Sequence, residues 1–170
     1  MKHEVIVGNF GIGQPVRRAE DPTLVRGEGQ YTDDLQLEGQ VYAVIVRSPV
    51  AHGILRGVDL DAARELPGVL MAFDGGELAA AGYGSLKCRL PYHNRDGTPM
   101  QPPERIALAR GKVRYVGEPV ACVIAETLWQ AKDAAEAVVL DIKDLPSVTS
   151  ARAAAEPDAP VLYDELPGNL

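Results

Sequence analysis

The 170 residues suit one domain with room for an appended segment, and a domain of that size buries about 70% of its unfolded surface without disulfides or metals. The formal net charge of −7 argues against a nucleic-acid groove or an anionic membrane surface as the main partner. No apolar run approaches the ~20 residues of a membrane span, and the first residues lack a signal peptide, so we expect a cytoplasmic protein.

Residues 1–40 are rich in turn formers and charged side chains, and we predict that they form an extended lead-in segment. Gly11-Ile12-Gly13 resembles the start of a dinucleotide-binding loop, but Val16 stands where that pattern requires its third glycine. The adjacent carboxylates Asp33-Asp34 do not favour a paired acid/base site, because neighbouring side chains on a strand point to opposite faces. We therefore assign no catalytic role to this segment.

A first strand–helix–strand unit is predicted between residues 41 and 73. Residues 41–47 are apolar on both alternating faces, a pattern typical of a central strand that is covered on both sides. Asp59 is placed to cap a short helix, and Pro67-Gly68 is placed to end it. Residues 69–73 then have the composition of a second strand.

Residues 74–112 form the least regular part of the sequence, because glycines and prolines interrupt every helical or strand period. A long irregular insert in a compact domain is usually functional or ordered by a partner. The insert contains Cys88, for which only His93 is a nearby candidate base, so the basis for a reactive thiol is weak. We expect the insert to contact a neighbouring domain, and the sequence leaves its role open.

The second strand–helix–strand unit carries the clearest local signals. Two runs of strand composition, residues 113–116 and 119–125, meet at Gly117-Glu118, where the glycine suits a positive φ angle or a bulge. Thr127 and Gln130 have the spacing of a capping box, and small apolar residues follow at helical spacing. The next strand begins at residue 139.

These two units predict an α+β domain over residues 41–148, with a mixed sheet and an irregular insert. Residues 149–170 are rich in Ala, Pro and Asp, which is the composition of an extended connector. The two cysteines define no disulfide framework, and Cys122 lies in an apolar run where a buried thiol is expected.

Few side chains have the spacing of a catalytic or metal site. The three histidines, His3, His52 and His93, include no i, i+4 pair that would hold a metal on a helix. Ser48 and His52 suggest a nucleophile pair, but Ser48 lies in no Gly-x-Ser-x-Gly elbow, and a polar turn is the better interpretation. The position of Glu118 between two strands favours a structural role in a turn over acid/base chemistry. Glu118 could also form an ion pair with Arg114.

Five short segments in fixed order resemble the N-terminal α/β hammerhead domain of molybdenum hydroxylase large subunits, a family that includes xanthine dehydrogenase, aldehyde oxidase and carbon monoxide dehydrogenase. They are Gly11-Ile12-Gly13 through Arg17-Arg18-Ala19-Glu20-Asp21, Arg26-Gly27-Glu28-Gly29-Gln30-Tyr31-Thr32-Asp33-Asp34, Arg47-Ser48-Pro49-Val50-Ala51-His52, Tyr115-Val116-Gly117-Glu118-Pro119-Val120-Ala121 and Leu145-Pro146-Ser147-Val148. Leu66-Pro67-Gly68-Val69 lies between the third and fourth of them. The first and third segments are most similar to carbon monoxide dehydrogenase-like large chains.

The resemblance implies a scaffold domain of an oxidoreductase that is inactive alone. In such enzymes a molybdenum–pterin cofactor and the catalytic glutamate lie in the domains that follow, and iron–sulfur and FAD groups lie on partner domains or subunits. We therefore expect no cofactor in this chain, a connector at 149–170 that leads toward an absent molybdenum-cofactor domain, and interface positions at Arg47, His52, Gly117 and Glu118. The substrate, the electron acceptor and the oligomeric state stay open.

The alternative is a stand-alone protein interaction module that keeps the hammerhead fold. A scaffold domain predicts an apolar patch of more than a few hundred Å² on the surface of the chain, whereas a free-standing module predicts a self-sufficient polar surface. A third hypothesis, a small hydrolase that uses Ser48 and His52, predicts that alanine at either position abolishes esterase activity.

Overall fold

The computed structural model describes residues 18–87, 90–94, 96–166 and 168–169. The chain divides into two compact units, residues 1–39 and 40–170. The glycine pattern at residues 11–16 and the thiol of Cys88 lie outside the described residues.

The described part of the first unit holds one short helix, α1 (Asp21–Val25), and a 3-10 turn at Thr32–Asp34. Asp33 and Asp34 therefore lie in a turn and not on a strand. The Asp34 carboxylate accepts a hydrogen bond of 2.9 Å from the backbone N–H of Tyr31, which caps the turn. The Asp34 carboxylate therefore caps a turn, and nothing in this geometry favours a role for it as an acid or base.

The second unit contains six strands and four helices among its described residues. They are β1 (Tyr42–Arg47), β2 (Gly53–Asp59), α2 (Asp61–Arg64), β3 (Val69–Asp74), α3 (Gly75–Ala80), β4 (Lys112–Val113), β5 (Pro119–Ala125), α4 (Leu128–Glu136), β6 (Val139–Asp144) and α5 (Ala151–Ala154). The α+β class is confirmed, and the second predicted strand–helix–strand unit occurs as β5–α4–β6. The first unit was predicted to open with the strand at residues 41–47, but β2 lies between that strand and α2, so the observed unit is β2–α2–β3.

The strands form two three-stranded sheets, which we call sheet 1 (order β1-β5-β3) and sheet 2 (order β4-β2-β6). Every described strand pair is antiparallel, so the arrangement differs from the single mixed sheet that we expected. Each strand–helix–strand unit begins in one sheet and ends in the other. The difference arises because β2 was missed, since Gly53, Arg56 and Gly57 interrupt its apolar pattern.

Two local predictions were wrong. Strand β1 was expected to be central, but it is an edge strand, and the more deeply buried β5 is the centre of sheet 1. Residues 113–116 were expected to be a strand, but β4 ends at Val113 and the chain then turns. The irregular insert also begins with the unexpected helix α3, which Asp74 caps by accepting a 2.8 Å hydrogen bond from the N–H of Glu77.

The apolar core has two clusters. The first joins sheet 1 to helices α2 and α4, and its buried residues are Leu60, Ala63, Ala72, Ala121, Val123 and Ala134. The second joins the start of β5 to sheet 2, and its buried residues are Ala109, Val113 and Val120. Val58 of β2 packs against both clusters. The alanines at 131 and 134 let α4 lie close to sheet 1, as its predicted apolar stripe requires.

The N-cap of α4 is confirmed. The hydroxyl of Thr127 accepts a 3.3 Å hydrogen bond from the N–H of Gln130 and donates a 2.8 Å bond to the Gln130 side-chain oxygen. This pattern satisfies one of the free N–H groups of the first helical turn, which typically stabilises a helix by about 1 kcal/mol.

Candidate functional site

Two of the family-like segments, which lie far apart in the sequence, meet where β1 ends and β5 begins. The backbone N–H of Ser48 donates to the carbonyl of Glu118 at 2.9 Å, and the N–H of Gly117 donates to the carbonyl of Ser48 at 2.8 Å. The pairing register of β1 with β5 shifts between Val46 and Arg47, so the chain bends at this point. We call the joined segments, residues 47–52 and 114–118, the hinge corner.

Gly117 allows the turn that closes the hinge corner. Its φ angle is +86°, in the left-handed region that side chains with a Cβ rarely adopt, and this confirms the expected positive φ. The turn exposes the Gly117 carbonyl, which accepts a 2.9 Å hydrogen bond from the guanidinium of Arg47. A charged donor from one segment is thereby bound to the backbone of the other, 70 residues away.

Glu118 is 8% exposed, and its carboxylate accepts a short hydrogen bond from the backbone N–H of Arg114. Glu118 thus binds a backbone N–H group, as its turn position suggested. The ion pair with Arg114 does not form, because the Arg114 guanidinium points elsewhere. It donates to the carbonyl of Leu162 at 3.1 Å and lies 4.5 Å from the centre of the Tyr163 ring.

Ser48 and His52 are both buried, and each bonds a different backbone group. The Ser48 hydroxyl donates to the carbonyl of Val50 at 2.9 Å and accepts from the N–H of Val50 at 3.1 Å. The His52 ring lies 2.7 Å from the carbonyl of Pro146 through Nδ1. Neither side chain activates the other, so the geometry favours the polar turn over a nucleophile pair.

The His52 ring has a defined tautomer. A carbonyl oxygen only accepts, so Nδ1 carries the proton that it donates to Pro146, and Nε2 has a lone pair in the neutral ring. Nε2 is buried and has no hydrogen-bond partner among the described residues. The backbone of His52 also accepts a 2.9 Å bond from the N–H of Leu145, so side chain and backbone together fix the exit from β6.

The C-terminal segment folds back onto the hinge corner. The ammonium of Lys112 lies 2.7 Å from the carboxylate of Asp164, and this hydrogen bond holds the pKa of Asp164 below its ordinary value. The side chain of Asn169 accepts from the N–H of Leu162 and donates to the carbonyls of Ala154 and Pro160. The composition predicted an extended connector here and did not indicate any of these contacts, of which the Lys112–Asp164 pair joins residues 52 apart.

The segment Leu66-Pro67-Gly68-Val69 lies away from the hinge corner, at the start of α4. The carbonyl of Gly68 accepts a 3.0 Å hydrogen bond from the N–H of Glu126, and a Cβ at Gly68 would lie 2.1 Å from the side-chain nitrogen of Gln130. The glycine therefore permits both a positive φ angle of +79° and close approach to the helix cap.

Beside the hinge corner, the insert and the C-terminal segment border a cleft of about 560 Å³. Its lining residues are Glu104, Ile106, Arg110, Gly111, Arg114, Tyr163 and Glu165. Among the described residues, no group of three or more His, Cys, Asp or Glu side chains is placed to hold a metal ion. No helix in the described ranges is long and apolar enough to cross a bilayer.

The family described as "Aldehyde oxidase and xanthine dehydrogenase, a/b hammerhead domain" matches residues 26–146. The chain is 36% identical over 159 residues to the nicotine 6-hydroxylase large subunit of Paenarthrobacter nicotinovorans, covering 94% of this chain and 19% of that one. It is 36% identical over 150 residues to the carbon monoxide dehydrogenase large chain of Hydrogenophaga pseudoflava, covering 88% and 17%.

Solved structures show the same likeness. Quinoline 2-oxidoreductase from Pseudomonas putida 86 matches with a TM-score of 0.77 and 34% identity, over 91% of this chain and 19% of that one. The chain therefore belongs to the α/β hammerhead family of aldehyde oxidases and xanthine dehydrogenases, as the five segments indicated. It spans about a fifth of the length of the curated relatives that it matches.

Proposed function

We propose that this chain is a scaffold domain of a molybdenum hydroxylase large subunit and supplies no reacting group. One observation carries the proposal. The polar side chains of the hinge corner that have catalytic potential, Ser48, His52 and Glu118, are buried and bind backbone groups of this same domain. Side chains that are buried and hydrogen-bonded to the backbone stabilise the domain, and they cannot reach a substrate to transfer a proton.

The names of relatives support the cofactor and partner assignments. One relative, 36% identical over 158 residues, is the xanthine dehydrogenase molybdenum-binding subunit of Escherichia coli O157:H7. Another is subunit gamma of the 6-hydroxypseudooxynicotine dehydrogenase complex of Paenarthrobacter nicotinovorans. By this analogy, a molybdenum cofactor belongs to the rest of the large subunit, and other subunits complete the complex. That the cofactor is a molybdenum–pterin and that iron–sulfur and FAD groups lie on partner domains or subunits is proposed from the family resemblance alone.

We assign the domain layout on the same basis. Residues 1–40 are a lead-in, 41–148 the hammerhead domain and 149–170 the connector toward the cofactor domain. The contacts of Lys112 and Arg114 with residues 162–164 give that connector a defined direction where it leaves the domain. A fixed exit direction is useful to a scaffold, because it limits the positions that the following domain can take.

The hinge corner is the proposed domain interface, and its residues have two separate roles. His52 and Glu118 are buried and hold the corner from within. Arg47 is exposed, and the adjacent turn presents the apolar side chains of Tyr115 and Val116 to solvent, at 54% and 65% exposure. A partner would contact this outer surface, since exposed aromatic residues and arginine are enriched at protein interfaces.

Capture from the source cell tests the proposal. An antibody against the chain is used to precipitate its native form, and the precipitate is analysed for mass and molybdenum. We expect molybdenum in the precipitate, together with a polypeptide much larger than 18.2 kDa or a larger partner chain. The purified 170-residue chain, the matched control, is expected to contain no molybdenum. A precipitate free of molybdenum would overturn the proposal.

The alternative function, a stand-alone interaction module, is judged by the same experiment. It predicts capture at 18.2 kDa with neither molybdenum nor a cofactor-binding partner. The exposure of large apolar side chains, among them Leu70, Met71 and Trp129, favours the scaffold over a module with a self-sufficient surface.

A further inference from the structure

The free edge of strand β3 has a backbone carbonyl near its centre that a side chain occupies. β3 is an edge strand of sheet 1, and among the described strands it pairs only with β5. The carbonyl of Ala72 accepts two hydrogen bonds from the guanidinium of Arg64, at 3.1 Å from Nε and 2.7 Å from Nη2. This carbonyl therefore points away from β5, toward the unpaired side of the strand.

The direction of the Ala72 carbonyl also fixes the direction of the Ala72 N–H. In an antiparallel pair, opposite residues either exchange both backbone hydrogen bonds or direct both groups outward, and the two kinds alternate. Ala72 lies opposite Val123 and is of the second kind, so Met71 and Phe73 are of the first. The free edge thus offers a donor and an acceptor on one residue. Two antiparallel copies of β3 can exchange these two bonds about a twofold axis at Ala72.

The residues around Ala72 suit the addition of a strand. Residues 69–73 are apolar and uncharged, and Leu70 and Met71 are 53% and 56% exposed. A groove of about 300 Å³ follows this edge, and its lining consists of Arg64 and four consecutive residues of β3. The free edge of β6 differs, because charged residues, which prevent edge-to-edge pairing, occupy half of that strand.

We propose that the free edge of β3 is a self-pairing surface for a second copy of this chain, and that Arg64 blocks it. The guanidinium occupies the Ala72 carbonyl and fills the position, about 4.8 Å from β3, where the backbone of an added strand would lie. Pairing about Ala72 would also bring two Arg64 side chains together near the twofold axis, where like charges repel. The inference is independent of the proposed function, because it concerns two copies of the same domain.

Three elements hold Arg64 on this edge. Arg64 is the last residue of α2, and its Nη2 lies 2.7 Å from the carboxylate of Glu77 in α3. The backbone N–H of Glu77 is bound in turn by the side chain of Asp74, the last residue of β3. The hydrogen bonds to Ala72 are separate from the ion pair with Glu77, so the two contacts can be removed one at a time.

The test compares the association of substituted 170-residue chains by sedimentation equilibrium. We expect the wild type to be monomeric. Arg64→Met keeps the apolar stem but removes the donors and the charge, and we expect it to dimerise with a Kd at least about tenfold lower than that of the wild type. Glu77→Gln, which leaves Arg64 on the edge, is the matched control and should stay monomeric. A folded Arg64→Met chain that remains monomeric would overturn the proposal, and so would a dimeric wild type.

A second substitution locates the contact. In a pair centred on Ala72, the half-exposed Met71 lies opposite Phe73 of the other copy, so Met71→Lys places a charge in the contact. Added to Arg64→Met, it should restore the monomer. Val139→Lys, at a residue of 62% exposure on β6, is its matched control and should leave the dimer intact. A dimer that persists with Met71→Lys would show that another surface, such as the edge strand β1, makes the contact, and the proposal would fail.

Circular dichroism and the melting temperature verify the fold of each variant. If Arg64→Met does not fold, Arg64→Gln replaces it, because the amide nitrogen of glutamine occupies the same place along the side chain as Nε and can keep the 3.1 Å bond to Ala72. Arg64→Gln lacks the charge and the second donor, so we expect a dimer weaker than that of Arg64→Met. A folded Arg64→Gln chain that associates no more than the wild type would reject the blocking role of Arg64.

Discussion

The carboxylate of Glu118 and the backbone N–H of Arg114 are joined by a hydrogen bond inside the hinge corner. The same arginine extends its guanidinium to the carbonyl of Leu162 and over the ring of Tyr163. One glutamate therefore positions the backbone of a residue whose side chain holds the C-terminal segment. The sequence placed Glu118 in a turn, and the structure shows what the turn supports.

Replacing Glu118 tests this arrangement. Glu118→Ala leaves the N–H of Arg114 without its acceptor in a buried site, so we expect the free energy of unfolding to fall by about 1–3 kcal/mol. Glu118→Gln keeps an oxygen acceptor of the same size but without charge, and it should lose roughly half as much. Urea unfolding of the 170-residue chain measures both. Equal stability of Glu118→Ala and the wild type would contradict the structural role.

Gly117→Ala tests the backbone of the same turn. Apart from the two neighbouring residues of the chain, no atom lies within 4 Å of the added methyl group, so any effect comes from the φ angle of +86°. A left-handed alanine costs about 1–2 kcal/mol, and the stiffer unfolded chain offsets part of that, so we expect a net loss of about 1 kcal/mol. Gly57→Ala, which has equal space and no positive φ, should cost less; equal losses would reject this explanation.

The ion pair of Lys112 with Asp164 predicts a pH dependence of the C-terminal segment. Hydrogen bonding to Lys112 holds the pKa of Asp164 below its ordinary value of 3.8. The stabilising contribution is therefore complete above about pH 5 and is lost as the pH falls through the lowered pKa. After correction for the intrinsic rate of amide exchange at each pH, we expect the protection of the amides of Leu162 and Tyr163 to fall on acidification toward about pH 3.

Asp164→Asn should give low protection of these amides already at neutral pH and remove the acid dependence of that protection. Salt at about 1 M should accelerate exchange in the wild type, since Asp164 is 78% exposed and its ion pair is open to screening. Asp158→Asn, which changes an exposed carboxylate nearby, is the matched control and should have no effect. Protection that changes neither with pH nor with the Asp164 substitution would show that other contacts hold the segment.

The two N-cap hydroxyls of α4 and α5 provide a further contrast. Thr127 accepts from the N–H of Gln130, whereas Ser150 makes no capping bond with its side chain. Thr127→Ala should therefore cost about 1 kcal/mol and lower the melting temperature by about 2–4 °C. Ser150→Ala should leave the melting temperature unchanged. A calorimetric scan measures the melting temperature of each variant. Equal decreases for Thr127→Ala and Ser150→Ala would refute the proposed difference between the two caps.

Features that depend on neighbours three or four residues away could be predicted from the sequence. The Thr127 cap, the apolar stripe of α4 and the positive φ of Gly117 all belong to this kind, because local backbone geometry alone requires those residue types. Strand β2 was missed, since its glycines and arginine hide the alternation, and β1 was placed at the centre of a sheet although it is an edge.

The sequence by itself determined the α+β class, the family and the second strand–helix–strand unit. Only the tertiary structure decided that Ser48 and Glu118 pair across 70 residues and that Arg114 binds Leu162. The reason is physical. Local signals arise from the energy of short stretches of chain, whereas strand order and side-chain partners depend on which distant segments bury each other best.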